Sequence, residues 1–428
     1  MTIVRTRPFG QRYAFVVTGV IFLALLASAG LRSAPGVLIL PLEDAFGWGR
    51  DLTSLAAAIG IFLYGLMGPF AAALMDRIGL RRTVMAAFAL MSVSTLLSLF
   101  MTQPWHLIAT WGVMSGLASG TVATVLGATI VTRWFKTNRG LVMGLMSAST
   151  ATGNLIFLPG MAALAQSGGF KPVVIAIAIG TAVMIPLVYF FVPERPSAIG
   201  QSPYGSTAPV GSEDRRGVPD NFLRATFGIL AMAARTRTFW LLFLTFFVCG
   251  FTTNGLVATH LIAFCGDMGI PEVQAAGLLA FIGIFDLFGT TFSGWLTDRF
   301  DPRKLLMIYY SIRGLSLLYL PYSGFSGPAL TVFAILYGLD WIATVPPTLR
   351  LANERFGDKT APVVYGWIFA GHQLGGASAA FFGGLMRQWQ GNYDLAFLIA
   401  GVTGLIAAGL AIMINRQKTD MAPAAAAA

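Results

Sequence analysis

Apolar runs of about 20 residues recur along almost the whole chain, separated by short polar turns. A helix rises about 1.5 Å per residue, so each run can cross the hydrocarbon core of a bilayer. The predicted spans cover residues 13–41, 52–75, 83–101, 105–132, 140–165, 172–192, 238–265, 274–297, 305–322, 328–349, 361–386 and 393–415. The pattern therefore predicts an all-α polytopic membrane protein with twelve transmembrane helices in two six-helix bundles.

A polar stretch, residues 194–237, divides the predicted spans six and six. It is rich in proline, glycine, serine and charged residues, a composition typical of a linker between domains. A short surface helix is expected near its end, before the seventh span. The predicted organisation is an N-terminal bundle at 1–193, a cytoplasmic linker at 194–237, and a C-terminal bundle with a short cytoplasmic tail at 238–428.

The two halves share an internal repeat at an offset of 222 residues. The charged turn at 76–82, after the second span, matches the turn at 298–304, after the eighth. At the same offset Gly116 matches Gly338, Arg133 matches Arg355 and Gly144 matches Gly366. A repeat of two six-helix halves is typical of transporters that bind substrate near the bilayer midplane, so we expect two pseudo-symmetric bundles.

The basic residues are distributed unevenly between the two sides of the predicted membrane. Hydrophobic residues make up 56% of the chain and charged residues only 11%. With the N-terminus placed in the cytoplasm, 23 of the 28 lysines and arginines fall on the cytoplasmic side. The positive-inside rule then predicts a multi-pass protein of the cell membrane, the inner membrane in a bacterium, with both termini cytoplasmic. The net charge of +10 does not indicate nucleic acid, because the basic residues are not interleaved with stacking aromatics.

The chain lacks the motifs of several other classes of protein. It has no phosphate-binding loop for an ATP-driven pump and no Gly-x-Ser-x-Gly motif for a hydrolase. Three scattered histidines and two cysteines provide no metal cluster, and Cys249 and Cys265 are expected to be buried free thiols. A transporter-like sensor would need a large output domain, which the linker and tail do not provide. We therefore expect no enzyme, no cofactor, no metal and no obligatory protein partner.

The repeated turn carries a family resemblance. Asp76-Arg77-x-Gly79-x-Arg81-Arg82 and its copy at 298–304 resemble the signature loop of the major facilitator superfamily, although Ala72 replaces the usual leading glycine. The resemblance implies a fold of twelve helices and a gating role for the matching charged residues. These are Asp76, Arg77, Arg139, Asp298 and Arg299.

Two further motifs are similar to the monocarboxylate transporter and oxalate/formate exchanger-like branch of bacterial type. Residues 133–144 resemble the fifth-span signature of the monocarboxylate transporters, and Arg32 takes the place of their first-span lysine. Asp286-x-x-x-Thr290-x-x-x-Gly294 matches an eighth-span Asp-x-x-x-Arg-x-x-x-Gly, except that Thr290 replaces the arginine that binds the substrate carboxylate in the family. The acidic-Gly-Gly-Trp motif that opens the first span in animal members is also absent. The substrate of the family therefore does not transfer directly.

Four full charges lie deep within the predicted spans, and charges there normally face the protein interior or a wet cavity. We expect Arg32 and Asp286 to face each other across a central cavity, where either Asp286 or a substrate carboxylate is the anion close to Arg32. Protonation of Asp286, the expected proton-coupling residue, would release Arg32 for the substrate; the alternative is that both residues are structural. Asp340 is a second candidate for proton coupling. Arg313 can pair with Asp286 or Asp340, and both a substrate-binding role and a fixed buried ion pair are open for it.

Several uncharged polar residues are further candidates for substrate binding. Asn254 is the repeat mate of Arg32, and Tyr64 is the repeat mate of Asp286. His372 and Gln373 lie about 15 Å deep in the eleventh span, which lines the cavity in the resembled family. The alternative for each is a hydrogen bond or packing contact between helices.

These features together favour a secondary active transporter of a small organic anion, a monocarboxylate or related carboxylate, working by alternating access in symport with protons. The expected partners are the anion, protons and the lipid bilayer, without nucleic acid. The alternatives are an anion exchanger and a proton-driven efflux antiporter for drugs or metabolites. The fifth span lacks the Gly-Pro-x-x-Gly-Gly pattern that such antiporters carry.

Overall fold

The computed structural model describes residues 10–207, 209–210, 222–357 and 360–415, and these are almost entirely helical. Each predicted span coincides with a long helical segment. We label these segments α1 (Tyr13–Phe46), α2 (Arg50–Arg77), α3 (Leu80–Leu97), α4 (Pro104–Trp134), α5 (Arg139–Gly168), α6 (Phe170–Phe191), α7 (Arg237–Asp267), α8 (Glu272–Arg299), α9 (Pro302–Tyr319), α10 (Gly327–Phe356), α11 (Ala361–Gln390) and α12 (Asp394–Ile412). A separate linker helix, Phe222–Ala233, precedes α7. It confirms the short helix expected there.

Nine of the helices in the described part of the chain are long and apolar enough to cross a membrane by length and composition alone. The three predicted spans outside this set are α5, α9 and α11. The polar pair His372 and Gln373 and several glycines lower the hydropathy of α11, while α9 contains Arg303, Lys304 and Arg313. A span of this kind is stable in a membrane because its polar face packs against other helices.

The chain divides into two compact units. Unit 1 comprises Met1–Asp220 with Leu261–Ala280, and unit 2 comprises Asn221–His260 with Phe281–Ala428. The last turns of α7 and the first turns of α8 therefore belong to unit 1. The core of unit 2 is built from helices α7, α9, α11 and α12, with buried residues such as Phe246 and Tyr310 at its centre.

Glycine contacts between helices follow the internal repeat. A Cβ atom on Gly116 of α4 would come within 2.8 Å of the Gly60 carbonyl oxygen on α2. At the repeat offset, a Cβ atom on Gly338 of α10 would come within 2.6 Å of the Ile282 carbonyl oxygen on α8. The backbones approach this closely only because neither α4 nor α10 has a side chain at the crossing. The structure confirms that small residues let these helices pack closely.

Two of the long helices are interrupted at matching places. The helical pattern of α4 breaks at residues 122–123 and that of α10 at residues 341–344, and at the repeat offset of 222 the two breaks share one position, 122 with 344. A second kind of irregularity occurs as π-helical turns at Ile108–Met114 in α4 and Phe251–Val257 in α7. Such turns are frequent at functional sites.

Candidate functional site

Arg32 lies near the middle of α1 in unit 1, and its guanidinium is held by an aromatic ring. Its Cζ atom is 4.8 Å from the centroid of the Tyr64 ring, a cation–π distance. The side chain is half-buried, and its Nε atom is buried without a hydrogen-bond partner among the described residues. No carboxylate in the described part of unit 1 pairs with it. The arginine is therefore positioned by α2 while its donors remain available for an anion.

Asp286 lies in α8 of unit 2 and is 5% exposed. Its Oδ1 atom accepts a hydrogen bond from the Thr290 hydroxyl at 2.8 Å and from the Ile342 backbone N–H at 2.9 Å. Thr290 stands where the resembled branch has arginine, so a neutral donor takes the place of a charged one. Within the described part of unit 2, this carboxylate is held by neutral hydrogen-bond donors and makes no ion pair.

The internal repeat relates Arg32 to Asn254 and Tyr64 to Asp286. Tyr64 is the mate of Asp286, and in unit 1 a Cβ atom on Gly120, the mate of Ile342, would come within 2.7 Å of the Tyr64 carbonyl oxygen. Asn254, the mate of Arg32, is half-buried within the π-helical turn of α7. The cation of unit 1 therefore lies on α1 and the carboxylate of unit 2 on α8, which corresponds to α2, and the repeat mates of both residues are uncharged.

Arg313 and Asp340 form a fully buried ion pair inside unit 2. The Arg313 Nε atom donates to Asp340 Oδ2 at 2.6 Å, and the side chains are 0% and 2% exposed. The remaining donors reach the Cys249 sulfur at 2.9 Å and the backbone carbonyl oxygens of Asp340 and Trp341 at 2.5 and 3.0 Å. The structure selects Asp340 over Asp286 as the partner of Arg313. A substrate-binding role for Arg313 and a proton-coupling role for Asp340 stay predictions.

His372 and Gln373 lie in α11 of unit 2 and are 8% and 2% exposed. The imidazole packs between Phe246 and Phe369, with ring centroids 4.9 and 5.7 Å away. His372 Nδ1 and Gln373 Oε1 are buried, and neither has a hydrogen-bond partner among the described residues. The two side chains therefore offer polar atoms that a ligand or a water molecule can satisfy.

The surroundings of the two cysteines and of His260 indicate structural roles for these residues. Cys249 and Cys265 are free and buried, as expected. The His260 Nε2 atom lies 2.8 Å from the carbonyl oxygen of Ala380, which fixes α7 against α11. No group of three or more potential metal ligands occurs in the described part of the chain.

The five candidate gating residues, four in the signature turns and Arg139 at the start of α5, lie at the ends of their helices, and the structure gives them different surroundings. Asp76 accepts a hydrogen bond from Arg133 at 2.5 Å, a partner that we did not predict as part of the gate. Arg139 donates to the Phe135 carbonyl oxygen, and Arg299 lies 4.1 Å over the Trp295 ring. The remaining two, Arg77 and Asp298, are exposed.

Glu194, which follows α6, is a second residue in contact with the first turn that the sequence did not reveal. Its carboxylate accepts hydrogen bonds from the backbone N–H groups of Leu80 at 2.6 Å and Arg81 at 3.1 Å, which start α3. It occupies the space that a Cβ atom on Gly79 would need, and Gly79 has a φ of 104°. Glycine is therefore required in this turn for two reasons, its conformation and the closeness of the carboxylate. No spacing rule in the sequence links Glu194 to a turn more than a hundred residues earlier.

A buried cluster also lies at the other end of unit 1. Arg50, at the start of α2, is 6% exposed and donates to Glu43 of α1 at 2.8 Å and to Asp267 of α7 at 2.9 Å. The sequence alone indicated no partner for Arg50. The structure shows that it ties together the ends of three helices.

Comparison with known proteins decides the family. The sequence profile of the Major Facilitator Superfamily matches residues 20–380, most of the chain. The chain belongs to the major facilitator superfamily. Like the other members of this superfamily that it matches, it is a transporter and not an enzyme, and it is a multi-pass membrane protein.

Curated relatives cover nearly the full length of this superfamily member. It is 25% identical over 417 residues to the uncharacterized MFS-type transporter YcxA of Bacillus subtilis (strain 168), with 96% of each chain covered. It is 28% identical over 415 residues to Monocarboxylate transporter 13 of Rattus norvegicus, with 96% of this chain and 91% of that protein covered. These matches support the resemblance found in the sequence motifs.

Solved structures share the fold. The D-xylose–proton symporter matches with a TM-score of 0.73 at 13% identity, over 95% of this chain and 100% of that one. A bacterial homolog of the human lysosomal transporter Spinster matches with a TM-score of 0.74 at 16% identity, over 94% and 97%. Such transporters have twelve transmembrane helices in two pseudo-symmetric bundles, and this superfamily member has the same fold.

Replacing Arg50 with glutamine should loosen the C-terminal ends of α1 and α7 and the N-terminal end of α2. The variant leaves the largely buried Asp267 carboxylate without its cation, whereas the Glu43 side chain is 38% exposed and can be solvated. We expect a cysteine introduced at Leu40, which lies near Gly266 of α7, to react with an impermeant maleimide at least ~10-fold faster in this variant. Replacing the exposed Lys171 with glutamine is the control and should change nothing. Equal labelling rates in the two variants would contradict the assignment.

Proposed function

We propose that this superfamily member is a secondary active transporter that moves a small organic anion, a monocarboxylate or related carboxylate, together with a proton. The observation that supports the proposal is the set of contacts around Arg32. A guanidinium within a spanning helix is costly unless an anion or a wet cavity is close. Arg32 is held over Tyr64 and has no carboxylate partner in the described part of its unit. A substrate carboxylate matches the planar fork of donors that it offers.

Asp286 supplies the proton site of this proposal. A buried carboxylate held by neutral donors can take up a proton more readily than one in an ion pair, because no opposite charge stabilises its ionised form. Asp286 accepts only from Thr290 and Ile342 among the described residues of unit 2, whereas Asp340 is paired with Arg313. One proton on Asp286 and one anion at Arg32 would cross the membrane together without moving net charge.

Because Thr290 replaces the arginine of the resembled branch, we expect this chain to transport a different substrate from that branch. The family's second binding cation is absent at this position, so recognition of the carboxylate falls on Arg32. The unpartnered His372 Nδ1 and Gln373 Oε1 atoms, together with the amide of Asn254, suit hydroxyl or carbonyl groups of the substrate. We therefore propose a carboxylate that also carries hydrogen-bonding groups. The similarity to Monocarboxylate transporter 13 supports the carboxylate class.

The orientation in the membrane follows from the distribution of basic residues. We propose that both termini face the cytoplasm and that the membrane is the inner membrane of a bacterium, because 23 of 28 lysines and arginines then lie on the cytoplasmic side. The pair of Asp76 with Arg133 lies on that side and supports a gating role for the turn. We also propose that residues 194–237 are a linker between two groups of six spans.

Uptake into proteoliposomes tests the proposed function. Vesicles containing the purified protein are offered a panel of labelled carboxylates, with and without an inward proton gradient. We expect at least one carboxylate to accumulate only when the gradient is present. Accumulation that needs a preloaded internal anion and ignores the gradient would instead identify an exchanger. Extrusion of cationic or neutral drugs without carboxylate uptake would identify an efflux antiporter.

Two Arg32 variants show whether this residue binds the anion in that assay. Arg32 replaced by glutamine should lower kcat/KM for the transported carboxylate by about 100-fold, since charge and fork geometry are both lost. Replacement by lysine should lower it by about tenfold, because the charge remains without the bidentate fork. The matched control is Lys171 replaced by glutamine, which removes an exposed basic residue. Uptake that is unchanged in the glutamine variant of Arg32 would rule out its binding role.

A further inference from the structure

The break in α10 exposes backbone groups that the helix cannot satisfy. At residues 341–344 the regular hydrogen-bonding pattern of α10 is interrupted. Within a membrane protein every such group must find a partner, because no bulk water is present to bond it. The way in which these groups are satisfied therefore determines how stable the break is.

Side chains from two neighbouring helices supply the partners. Asp286 of α8 accepts from the Ile342 N–H at 2.9 Å, and Ser293 of α8 donates to the Ala343 carbonyl oxygen at 2.6 Å. Arg313 of α9 donates to the carbonyl oxygens of Asp340 and Trp341. Hydrogen bonds from side chains of α8 and α9 thus stabilise the break.

Only one of these three side chains changes its hydrogen-bonding character when it binds a proton. A serine hydroxyl and a guanidinium keep theirs in the physiological range. A carboxylate oxygen is a strong, charge-assisted acceptor for a backbone N–H, while a protonated carboxyl group accepts less strongly and becomes a donor. Cys249 of α7 touches the break through the Thr344 hydroxyl, 3.3 Å from its sulfur, and not through the backbone. Asp286 is therefore the one ionisable acid among the described residues that accepts a backbone N–H of the break.

No other group described around Asp286 takes over its hydrogen bond with the Ile342 N–H. The charged groups that face it are Arg313 of α9 and Asp340 of α10, and these two are paired with each other. Tyr309 of α9 faces Asp340 and Ser293. On its own helix Asp286 has the Thr290 hydroxyl, which bonds the same oxygen atom as Ile342.

We propose that Asp286 latches the break in α10: its ionised carboxylate holds the Ile342 N–H, and protonation releases residues 341–344 so that α10 can change shape. This inference rests on the proposed function in that it makes the coupling proton the signal for a helix movement. It goes further because it names the moving element and the hydrogen bond that transmits the signal. In this scheme Asp286 acts as a positioning residue for α10 in addition to carrying the proton.

The internal repeat provides a comparison within the same molecule. The break in α4 at residues 122–123 begins where the repeat equivalent of the α10 break ends, and on the neighbouring helix the mate of Asp286 is Tyr64, which carries no carboxylate. The contact at that position is the carbonyl oxygen of Tyr64 against Gly120, and it does not depend on protonation. The latch is therefore expected in α10 and not in α4.

Hydrogen–deuterium exchange of the full-length protein in proteoliposomes tests the latch. Exchange is measured at about pH 8 and about pH 5.5, which brackets protonation of a buried carboxyl group, and is corrected for the intrinsic pH dependence with an unstructured peptide. We expect protection in the peptide containing residues 341–344 to fall about fivefold at the lower pH, the difference between a charge-assisted and a neutral hydrogen bond. Protection around residues 122–123 should not change.

Two variants show whether the pH effect on exchange comes from Asp286. Asp286 replaced by asparagine should remove the pH effect at residues 341–344, and Thr290 replaced by valine should keep it because the Ile342 contact remains. A pH effect that survives in the asparagine variant, or that is equal at the two breaks, would overturn the latch. Transport is measured separately. A pH-dependent break without proton-driven uptake refutes the proposed function alone, and proton-driven uptake with a pH-independent break refutes the latch alone.

Discussion

Replacing Asp286 with asparagine should abolish proton-driven uptake of the transported carboxylate and spare exchange of substrate across the membrane. Asparagine has nearly the same shape, and its side-chain oxygen can still accept from Thr290 and the Ile342 N–H. It cannot ionise, so the variant mimics a permanently protonated carrier. We expect gradient-driven accumulation in proteoliposomes to fall to the level measured without a gradient, while exchange of external for internal carboxylate continues.

A carboxylate elsewhere in the same unit controls for the loss of charge alone. Asp394, at the start of α12, is half-buried and far along the chain from the proposed site. Its replacement by asparagine should leave both uptake and exchange unchanged. If the Asp286 variant retains pH-dependent uptake, the coupling proton must bind at another residue. Asp340 would then be the next candidate.

Removing one partner of the Arg313–Asp340 pair should destabilise the protein more than removing both. Each side chain is fully buried, and a lone charge at this place has no compensation. Arg313 replaced by methionine, or Asp340 replaced by leucine, should each cost about 3–5 kcal/mol of folding free energy. The double replacement should cost less than the sum of the single replacements, because no unpaired charge remains. It will not be neutral, since the carbonyl oxygens of Asp340 and Trp341 lose their donor.

Thermal unfolding in detergent and transport in vesicles separate the two roles left open for Arg313. A purely structural pair predicts that the folded double variant still transports the carboxylate. A role in substrate binding or proton coupling predicts a folded protein with impaired uptake. A swap of Lys171 for methionine serves as the surface control. Single variants that unfold at the wild-type temperature would show that the pair contributes little to stability.

Much of the fold could be predicted because it depends on local patterns. A run of apolar residues long enough to cross a bilayer is visible without knowledge of its neighbours, and all twelve predicted spans coincide with long helical segments. The repeat at an offset of 222 residues reappears in the contacts of Gly116 and Gly338. The apolar pattern was less informative for α9, where three basic residues lower the hydropathy and one of them, Arg313, lies on the buried face of the helix.

The partners of the polar side chains could not be predicted. Depth along a helix allowed Arg313 to pair with either Asp286 or Asp340, and the structure chose Asp340. Glu194, Arg133 and Arg50 lie in turns or at helix ends, where spacing carries no information about distant residues. Each of them finds its partner only after helices from separate parts of the chain have packed.

The sequence alone determined the number and order of the helices, the internal repeat, and the presence of an arginine and a carboxylate within the membrane, because hydropathy and charge are properties of each segment by itself. The tertiary structure decided which of those charges is paired and which is available. Arg32 rests on Tyr64, Asp286 holds the break in α10, and Arg313 is bound to Asp340. These outcomes depend on helix rotation and close backbone packing, which arise only when the helices assemble.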